Sequence, residues 1–468
     1  MTPLQSKFFH FFNQYADVYH PDYKLSQWDQ IRSIYCLHAM NHVFKTRDRV
    51  LKNNQKLKAH PDQYAEGFQI RDQGYTRPKV LILVPFKNDA LDIVKKLIVL
   101  SGTSQQENKK RFFDQFKIDD TNDVIDPRKP EDYRRIFEGN IDDCFRVGIK
   151  FTRKNMKLFS NFYASDVIIA SPLGLRLIIG SKGDKKRDYD YLSSIEVVVV
   201  DKADTILMQN WDHVEHIFNH LNLTPTEAHG CDFSRVRSWY LDGRAKNLRQ
   251  TIVLSEYATP ELNALFNRRM KNVFLKTRTK SLFAGSISDV VVQVPQLFHR
   301  INSRSLKEED DTRFTYFVEK VLPTLRQSAV SQKHTLIFVP SFVDFVRVRN
   351  YFSEKEENFE LLSEYSSGSD IARARSGLYH GKLDFVLCSE RFHFFKRYNL
   401  RGVRHLVFYG LPDHPGYYPE LMNMMHKAPD NTCTVLYSKY DKLKLERIVG
   451  SKRVDRMCEG EKDGFMFT

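Results

Sequence analysis

The stretch Ser193–Trp211, SSIEVVVVDKADTILMQNW, decides the fold. Ile195 and the run Val197–Val200 are β-branched, the composition of a strand buried on both faces of a sheet. The strand runs directly into Asp201-Lys202-Ala203-Asp204. In a nucleotide-hydrolysing α/β protein the carboxylates at such a strand end hold a metal ion, yet here a lysine follows the first of them. Read as a plain strand-to-helix turn, the same residues need no metal, with Asp204 near a helix start.

Outward from this strand, short apolar runs alternate with longer periodic stretches, the pattern of a parallel sheet covered by helices. Candidate strands in the first half are Lys79–Val84, Asp166–Ala170, Ile195–Val200, Thr251–Leu254 and Val273–Lys276. Past residue 280 the pattern restarts with DVVVQVPQL, a polar helix over Glu308–Leu325, and then HTLIFVP, KLDFVLCS, RHLVFYGLP and NTCTVLYS. The polar stretch Thr277–Asp289 joins the halves. The expectation is an α/β protein of two tandem units, residues 35–280 and 281–468, each a mostly parallel sheet covered by helices. Residues 1–34 are expected as a helical docking segment, since the aromatic run FFHFFNQY needs a neighbour to stay ordered. Ser104–Arg146, which carries NKKRFFDQF, reads as a helical insertion into the first unit.

Composition bounds the function. At 468 residues the chain exceeds what one hydrophobic core usually supports. Hydrophobic residues at 41% and aromatics at 13% exclude a wholly disordered chain. Lys and Arg number 72 against 58 Asp and Glu, a net +14 with an isoelectric point of about 9.3. That excess suits a polyanion such as nucleic acid, and would also suit an acidic protein surface. The cysteines, Cys36, Cys144, Cys231, Cys388, Cys433 and Cys458, form no CxxC pair and have no histidine at ligand spacing. Neither zinc nor a disulfide framework is expected, and a reducing compartment fits. No signal peptide is expected, and the apolar runs fall short of the roughly 18 residues a membrane span needs, so the chain reads as soluble.

Two α/β units with a carboxylate-bearing strand end in the first suggest the two RecA-like lobes of a helicase core. In such a machine a glycine-rich loop cradles the phosphates, a lysine reaches the terminal ones and an acidic strand end holds magnesium. The chain contains no G-x-x-x-x-G-K-[ST]. The nearest approach, GLYHGKLD at Gly377–Asp384, has the wrong glycine spacing, carries Leu383 where a hydroxyl would hold magnesium, and precedes a strand. In DEAD-type helicases the second acidic residue activates the attacking water. Lys202 is a cation and can do neither that nor hold a metal. Hydrolysis is not expected, and no cofactor or metal is implied.

RDQGYTRPKVLILVPFKNDALDIV at Arg71–Val94, SDVIIASPLGLRLIIG, the DKAD segment, WYLDGRAKNLRQTIVLSEYATPELNALFN and HTLIFVPSFVDFVRVRNYF together resemble the digestive organ expansion factor family. The similarity runs from about Tyr35 to about Leu443, and DQGYTRPKVLILVP is particular to that family. The resemblance implies a nucleolar, DEAD-box-like pseudohelicase of the small-subunit processome. It further implies pre-ribosomal and small nucleolar RNA and other processome proteins as partners, a part in 18S rRNA maturation, and no membrane. Members commonly carry a long acidic extension before the core, whereas this chain begins almost at the expected folded region.

By the same resemblance, Pro85, Phe86 and Lys87 stand where helicases grip RNA after a strand. Ser171, Pro172, Gly174 and Arg176 stand in a loop that seats the RNA backbone on a helix start, where backbone N–H groups meet phosphate. Pro172 and Gly174 equally suit a turn with no ligand. Arg373 and Arg375 occupy the corresponding basic positions of the second lobe. LSEYATPEL is similar to the Ser-Ala-Thr motif that couples helicase lobes, but Glu256 and Tyr257 interrupt it. No His-Arg-x-Gly-Arg-x-x-Arg follows FYGLPDHPGYYPELMN, so the arginine finger is also missing.

Basic clusters complete the candidates: Lys150, Arg153, Lys154 and Lys157 with interleaved phenylalanines, and Lys182, Lys185, Lys186 and Arg187 on an expected loop. Each alone reads as a solvated face, and together they favour an RNA contact surface. Three functions therefore stay open: an inactive helicase-like scaffold, an active RNA helicase with degenerate motifs, and a purely protein-binding adaptor.

Overall fold

The computed structural model describes residues 1–59, 70–118, 125–326, 333–425 and 430–468. The chain divides into two units, Met1–Lys280 and Ser281–Thr468. The strands of the first are β1 (Asp17–Pro21), β2 (Val80–Leu83), β3 (Gln105–Glu107), β4 (Arg146–Phe151), β5 (Asn155–Leu158), β6 (Val167–Ala170), β7 (Val197–Val200), β8 (Gln250–Ser255) and β9 (Lys276–Arg278). Among the described residues they form one sheet in the order β3-β5-β4-β6-β2-β7-β8-β1-β9. Neighbours run parallel except at β4, which pairs antiparallel with both β5 and β6. Every residue of β2, β6 and β7 is buried, because helices cover both sides of the sheet centre.

The amino terminus corrects the expectation of a separate docking segment. Helix α1 (Pro3–Asn13), capped by Thr2, buries Phe8 and Phe12. β1 lies between β8 and β9, with Val18 opposite Ile252 and Thr277. Residues 1–34 thus belong to the first unit. β1 escaped the sequence reading because DVYHP carries the polar side chains of Asp17 and His20 into the sheet, where both find partners. Asp17 accepts hydrogen bonds from the backbone N–H of Thr251 and Asn272, and the His20 ring bonds Thr279 and Gln27.

Two more helices frame this unit: α2 (Trp28–Ala59) and α3 (Lys87–Ser101). Ser104–Arg146 holds β3 and helices Lys109–Phe116 and Glu131–Phe137, with residues 119–124 outside the described set. NKKRFFDQF is helical over most of its length, and its Phe112 and Phe116 rings stack with centroids 4.3 Å apart.

The second unit contains β10 (Gln296–Ile301), β11 (Thr335–Val339), β12 (Phe359–Leu362), β13 (Phe385–Ser389), β14 (His405–Phe408), β15 (Thr432–Ser438) and β16 (Gly464–Phe467). Their order is β12-β13-β11-β14-β15-β10-β16, and among the described residues only β16 runs antiparallel to its neighbour. Apolar clusters pack on both faces of this sheet. Both units are α/β layers with mostly parallel sheets, as the sequence pattern implies. Two strands sit later than expected. The DVVVQVPQL strand begins only after Pro295, which has no N–H for a ladder, and Val291 is exposed. Val273 and Phe274 are likewise exposed ahead of β9. Among the described residues no helix is long and apolar enough to cross a membrane.

Candidate functional site

In parallel α/β sheets ligands bind beyond the carboxyl ends of the strands, and β7 delivers Asp201 there. The chain then turns sharply at Lys202, whose φ of 52° lies in the left-handed region, and enters the helix Ala203–Leu207. β1 ends on the same side of the sheet and connects through Asp22–Gln27 to α2. A phosphate-binding connection of that kind relies on glycines for close backbone approach. Here it reads DYKLSQ, without glycine.

The first turns of α2 press onto the DKAD turn instead. Asp201 Oδ2 accepts hydrogen bonds from Arg32 Nε at 2.9 Å and the Tyr35 hydroxyl at 2.7 Å, and Arg32 Nη2 lies 2.7 Å from the same oxygen. Arg32 also donates to Asp89 Oδ1 and Asp92 Oδ2, each at 3.0 Å. Lys202 Nζ sits 2.7 Å from Asp89 Oδ1 and 3.7 Å from the centroid of the Trp28 ring. Arg32, Asp89, Asp201 and Lys202 are all buried.

Burial pushes the Asp89 carboxyl up, but Lys202 and Arg32 outweigh it and hold the group below the usual carboxylate range. Burial lowers the Lys202 ammonium, with Asp89 opposing. Burial followed by the Asp201 charge drives the Tyr35 phenol far up, so this hydroxyl is a fixed donor. Two cations already answer the carboxylates at the strand end. A magnesium ion brought by nucleotide needs Asp201 unclaimed, whereas Arg32 and Tyr35 both donate to its Oδ2. The donor set therefore does not fit a metal-nucleotide complex. Among the described residues no group of histidines, cysteines and carboxylates is arranged to hold a metal. Asp204 has a structural partner, its Oδ1 accepting from the Glu256 N–H.

The positions proposed for RNA contact fare differently from one another. Pro85 and Phe86 are buried, and Lys87 pairs with Asp142 at 2.7 Å. Ser171 is buried, capping its helix by accepting from the Gly174 N–H at 3.0 Å. A Cβ on Gly174 would collide with the Phe145 carbonyl oxygen. Pro85, Phe86, Ser171, Pro172 and Gly174 are all buried and shape strand-to-helix turns. Arg176 is partly exposed, at 3.4 Å from the Ser181 hydroxyl. Arg373 is exposed but pairs with Glu360 and Asp370, whereas Arg375 is exposed over the Tyr398 ring.

Of the basic clusters, Lys150 and Lys157 face each other across the β4–β5 hairpin, and Arg153 and Lys154 are exposed in its turn. Lys157 also pairs with Glu107. Lys182, Lys185 and Lys186 are exposed, while Arg187 is tied to the Ile179 carbonyl and the His220 ring.

Trp28, Arg32, Tyr35 and Asp89 went unnoticed in the sequence. The signal that could have found them is Lys202 itself, because an ammonium buried behind a core strand requires a counter-charge.

Residues 15–276 match the family profile described as UTP25, NTP hydrolase-like domain, and residues 286–467 match Utp25, C-terminal domain. A Schizosaccharomyces pombe protein named U3 small nucleolar RNA-associated protein 25 is 47% identical over 100% of this chain and 72% of its own length. The Xenopus tropicalis homolog of that name is 47% identical, covering 100% of this chain and 62% of its own, and the Homo sapiens homolog 44%, covering 100% and 63%. The chain thus spans less than two thirds of the two vertebrate relatives. Among solved structures, a hypothetical ATP-dependent RNA helicase from Sulfolobus tokodaii aligns over 93% of this chain and 91% of its own at 12% identity and a TM-score of 0.29. A DEAD box protein from Methanococcus jannaschii aligns over 97% and 89% at 12% identity and a TM-score of 0.28. Those scores add nothing to the architecture, which rests on the sheets themselves. With both halves matched by the profiles of one family and relatives near half identity over its whole length, the chain belongs to the UTP25 family.

Proposed function

We infer that this protein is a catalytically inactive, helicase-like scaffold of ribosome biogenesis that works in the nucleolus. It binds pre-ribosomal or small nucleolar RNA and proteins of the small-subunit processome during 18S rRNA maturation. The observation that carries inactivity is the buried Arg32–Asp201 and Lys202–Asp89 network, which sets two protein cations against the carboxylates at the strand end. The relatives' name, which associates them with U3 small nucleolar RNA, supports the setting. The net charge of +14 and the exposed Arg153, Lys154, Lys182, Lys185, Lys186 and Arg375 support an RNA contact.

The test is calorimetric titration of the purified chain with Mg-ATP, with and without a short single-stranded RNA, followed by a turnover assay. The expected result is no saturable nucleotide binding at millimolar ATP and no hydrolysis. RNA-stimulated hydrolysis abolished by Asp201→Ala would instead establish an active helicase.

A further inference from the structure

The buried face of α2 ends at Val43, although the helix continues to Ala59. Its outer half is strongly basic: Lys45, Arg49, Lys52, Lys56 and Lys58 are exposed, opposed within the segment only by Asp48. Val43, Thr46, Arg47, Val50 and Leu51 of this half form one wall of a cavity of about 380 Å³. The facing wall is the run Asp72–Arg77 with Lys79, joined by Tyr163 and His229. This is the GYTRP stretch particular to the family, and the strand-end network at Asp201 does not use it. Lys79 and Asp166, which also lines the cavity, directly precede β2 and β6, so the cavity lies at the end of the sheet opposite Asp201.

The irregular wall is fixed in place by polar contacts. Asp72 receives Arg235 Nη2 at 2.7 and 2.8 Å, and Arg77 forks onto Asp166 at 2.8 and 3.0 Å. A Cβ on Gly74 would lie 2.6 Å from Ser194 Oγ. The two acids of the lining are thereby neutralised. The space is lined by rings, apolar side chains and polar groups together: Tyr163 and His229 stack with centroids 4.2 Å apart, held by Asp188 and Asp190, α2 supplies Val43, Val50 and Leu51, and Arg47, Gln73 and Lys79 add hydrogen-bonding groups. Arg77 Nη2 reaches the Phe151 carbonyl at 3.4 Å, and the Phe151 N–H donates to Asp166 at 2.7 Å. Phe151 ends β4, so the basic turn with Arg153 and Lys154 starts beside the cavity wall. Basic surface therefore flanks the cavity from two elements.

We propose that this cavity takes one unstacked base of a single-stranded RNA whose phosphates follow the outer half of α2 and the β4–β5 turn. Rings, apolar side chains and hydrogen-bonding groups inside, with exposed cations on the flanking elements, are what base stacking, recognition of a base edge and phosphate neutralisation require, whereas an acidic peptide would leave the rings unused. The inference rests on the RNA-binding part of the reading above and assigns it to a surface away from the helicase-type positions.

The test uses the full chain and a uridine oligomer of about ten nucleotides carrying 4-thiouridine. Photocrosslinks are expected in peptides containing Tyr75, Tyr163 or His229. Two double variants, Arg153→Glu with Lys154→Glu and Lys52→Glu with Lys56→Glu, are each expected to weaken binding at least tenfold with unchanged thermal melts. Each should also reduce the slope of log K against log salt by about 1.4, at roughly 0.7 per lost phosphate contact on a single strand. Wild-type affinity in both variants, or crosslinks confined to residues 281–468, overturns the cavity assignment while leaving RNA binding intact. No binding of the oligomer by the wild-type chain overturns RNA recognition as a whole. Poly-glutamate bound in its place and released by the same charge reversals would mark an acidic protein partner.

Discussion

Lys202 and Asp89 form an ion pair of 2.7 Å in which both side chains are 3% exposed. Asp89 lies in the first turn of α3, where the helix dipole also favours a carboxylate. Lys202 reaches it from a left-handed backbone conformation, which costs about 1–2 kcal/mol for a residue with a side chain. The Trp28 ring closes the ammonium off from water. The lysine in DKAD thus supplies, as a fixed part of the fold, the positive charge that a metal ion brings to an active strand end.

Restoring the acidic residue should therefore fail to restore an enzyme. Lys202→Glu places a third carboxylate among Asp89 and Asp201 with only Arg32 to answer them. A loss of about 3–5 kcal/mol, the usual cost of breaking a buried pair, is expected as a lowered melting temperature, with ATP turnover at background. Saturable turnover in this variant would refute the scaffold reading.

Arg32 reaches three carboxylates at once, and only a planar fork does that. Arg32→Met is expected to cost about 3–5 kcal/mol in denaturant unfolding, because Asp89 and Asp201 lose their shared cation. Arg32→Lys keeps the charge but not the geometry and should fall between. Equal midpoints for Arg32→Lys and the wild type would show that charge alone matters.

Much of this was legible in the sequence, and what was not has a physical cause. The valines of β7 and the apolar runs of β2, β6, β11, β13, β14 and β15 announce buried strands, since they are short, rich in β-branched and aromatic residues and bounded by turn residues. β1, β4, β5 and β12 were silent because their polar or half-buried residues break the apolar signal, and their pairing is decided by partners far along the chain. The loss of the phosphate loop and of the DEAD glutamate could be read from absent residues. The replacement could not, since Arg32 and Asp201 are brought together only by the fold.

The turn after β6 offers a check on the sequence-nominated RNA residues. Gly174→Ala must push its methyl into the Phe145 carbonyl, and overpacking of this kind costs about 1–3 kcal/mol. Ser171→Ala removes a helix cap and should cost about 1 kcal/mol. Both losses are expected in stability alone. An RNA affinity that falls tenfold in folded Ser171→Ala protein would return this turn to the list of contact sites.

The second unit carries a buried acid whose titration should be visible. Glu390 is 2% exposed, and its carboxylate accepts hydrogen bonds from the N–H groups of Asp413 and His414 at 2.8 and 3.1 Å. Burial, then the neighbouring Asp413 charge, raises its pKa to about 7 from an ordinary 4.5, with Lys444 opposing. Because the folded value lies above the unfolded one, the folded state holds this proton more tightly. The resulting stability is complete below pH 4.5 and disappears as pH rises through about 7. Its ceiling is about 3 kcal/mol, at about 1.4 kcal/mol per unit. Glu390→Gln keeps an acceptor without the charge, so its stability relative to the wild type should rise from pH 5 to pH 8. Amide exchange of β13 and β14 reports the second unit by itself and suits the measurement. Parallel pH profiles for the two proteins would mean that Glu390 gains its charge in the fold without penalty, and that Lys444 compensates the burial in full.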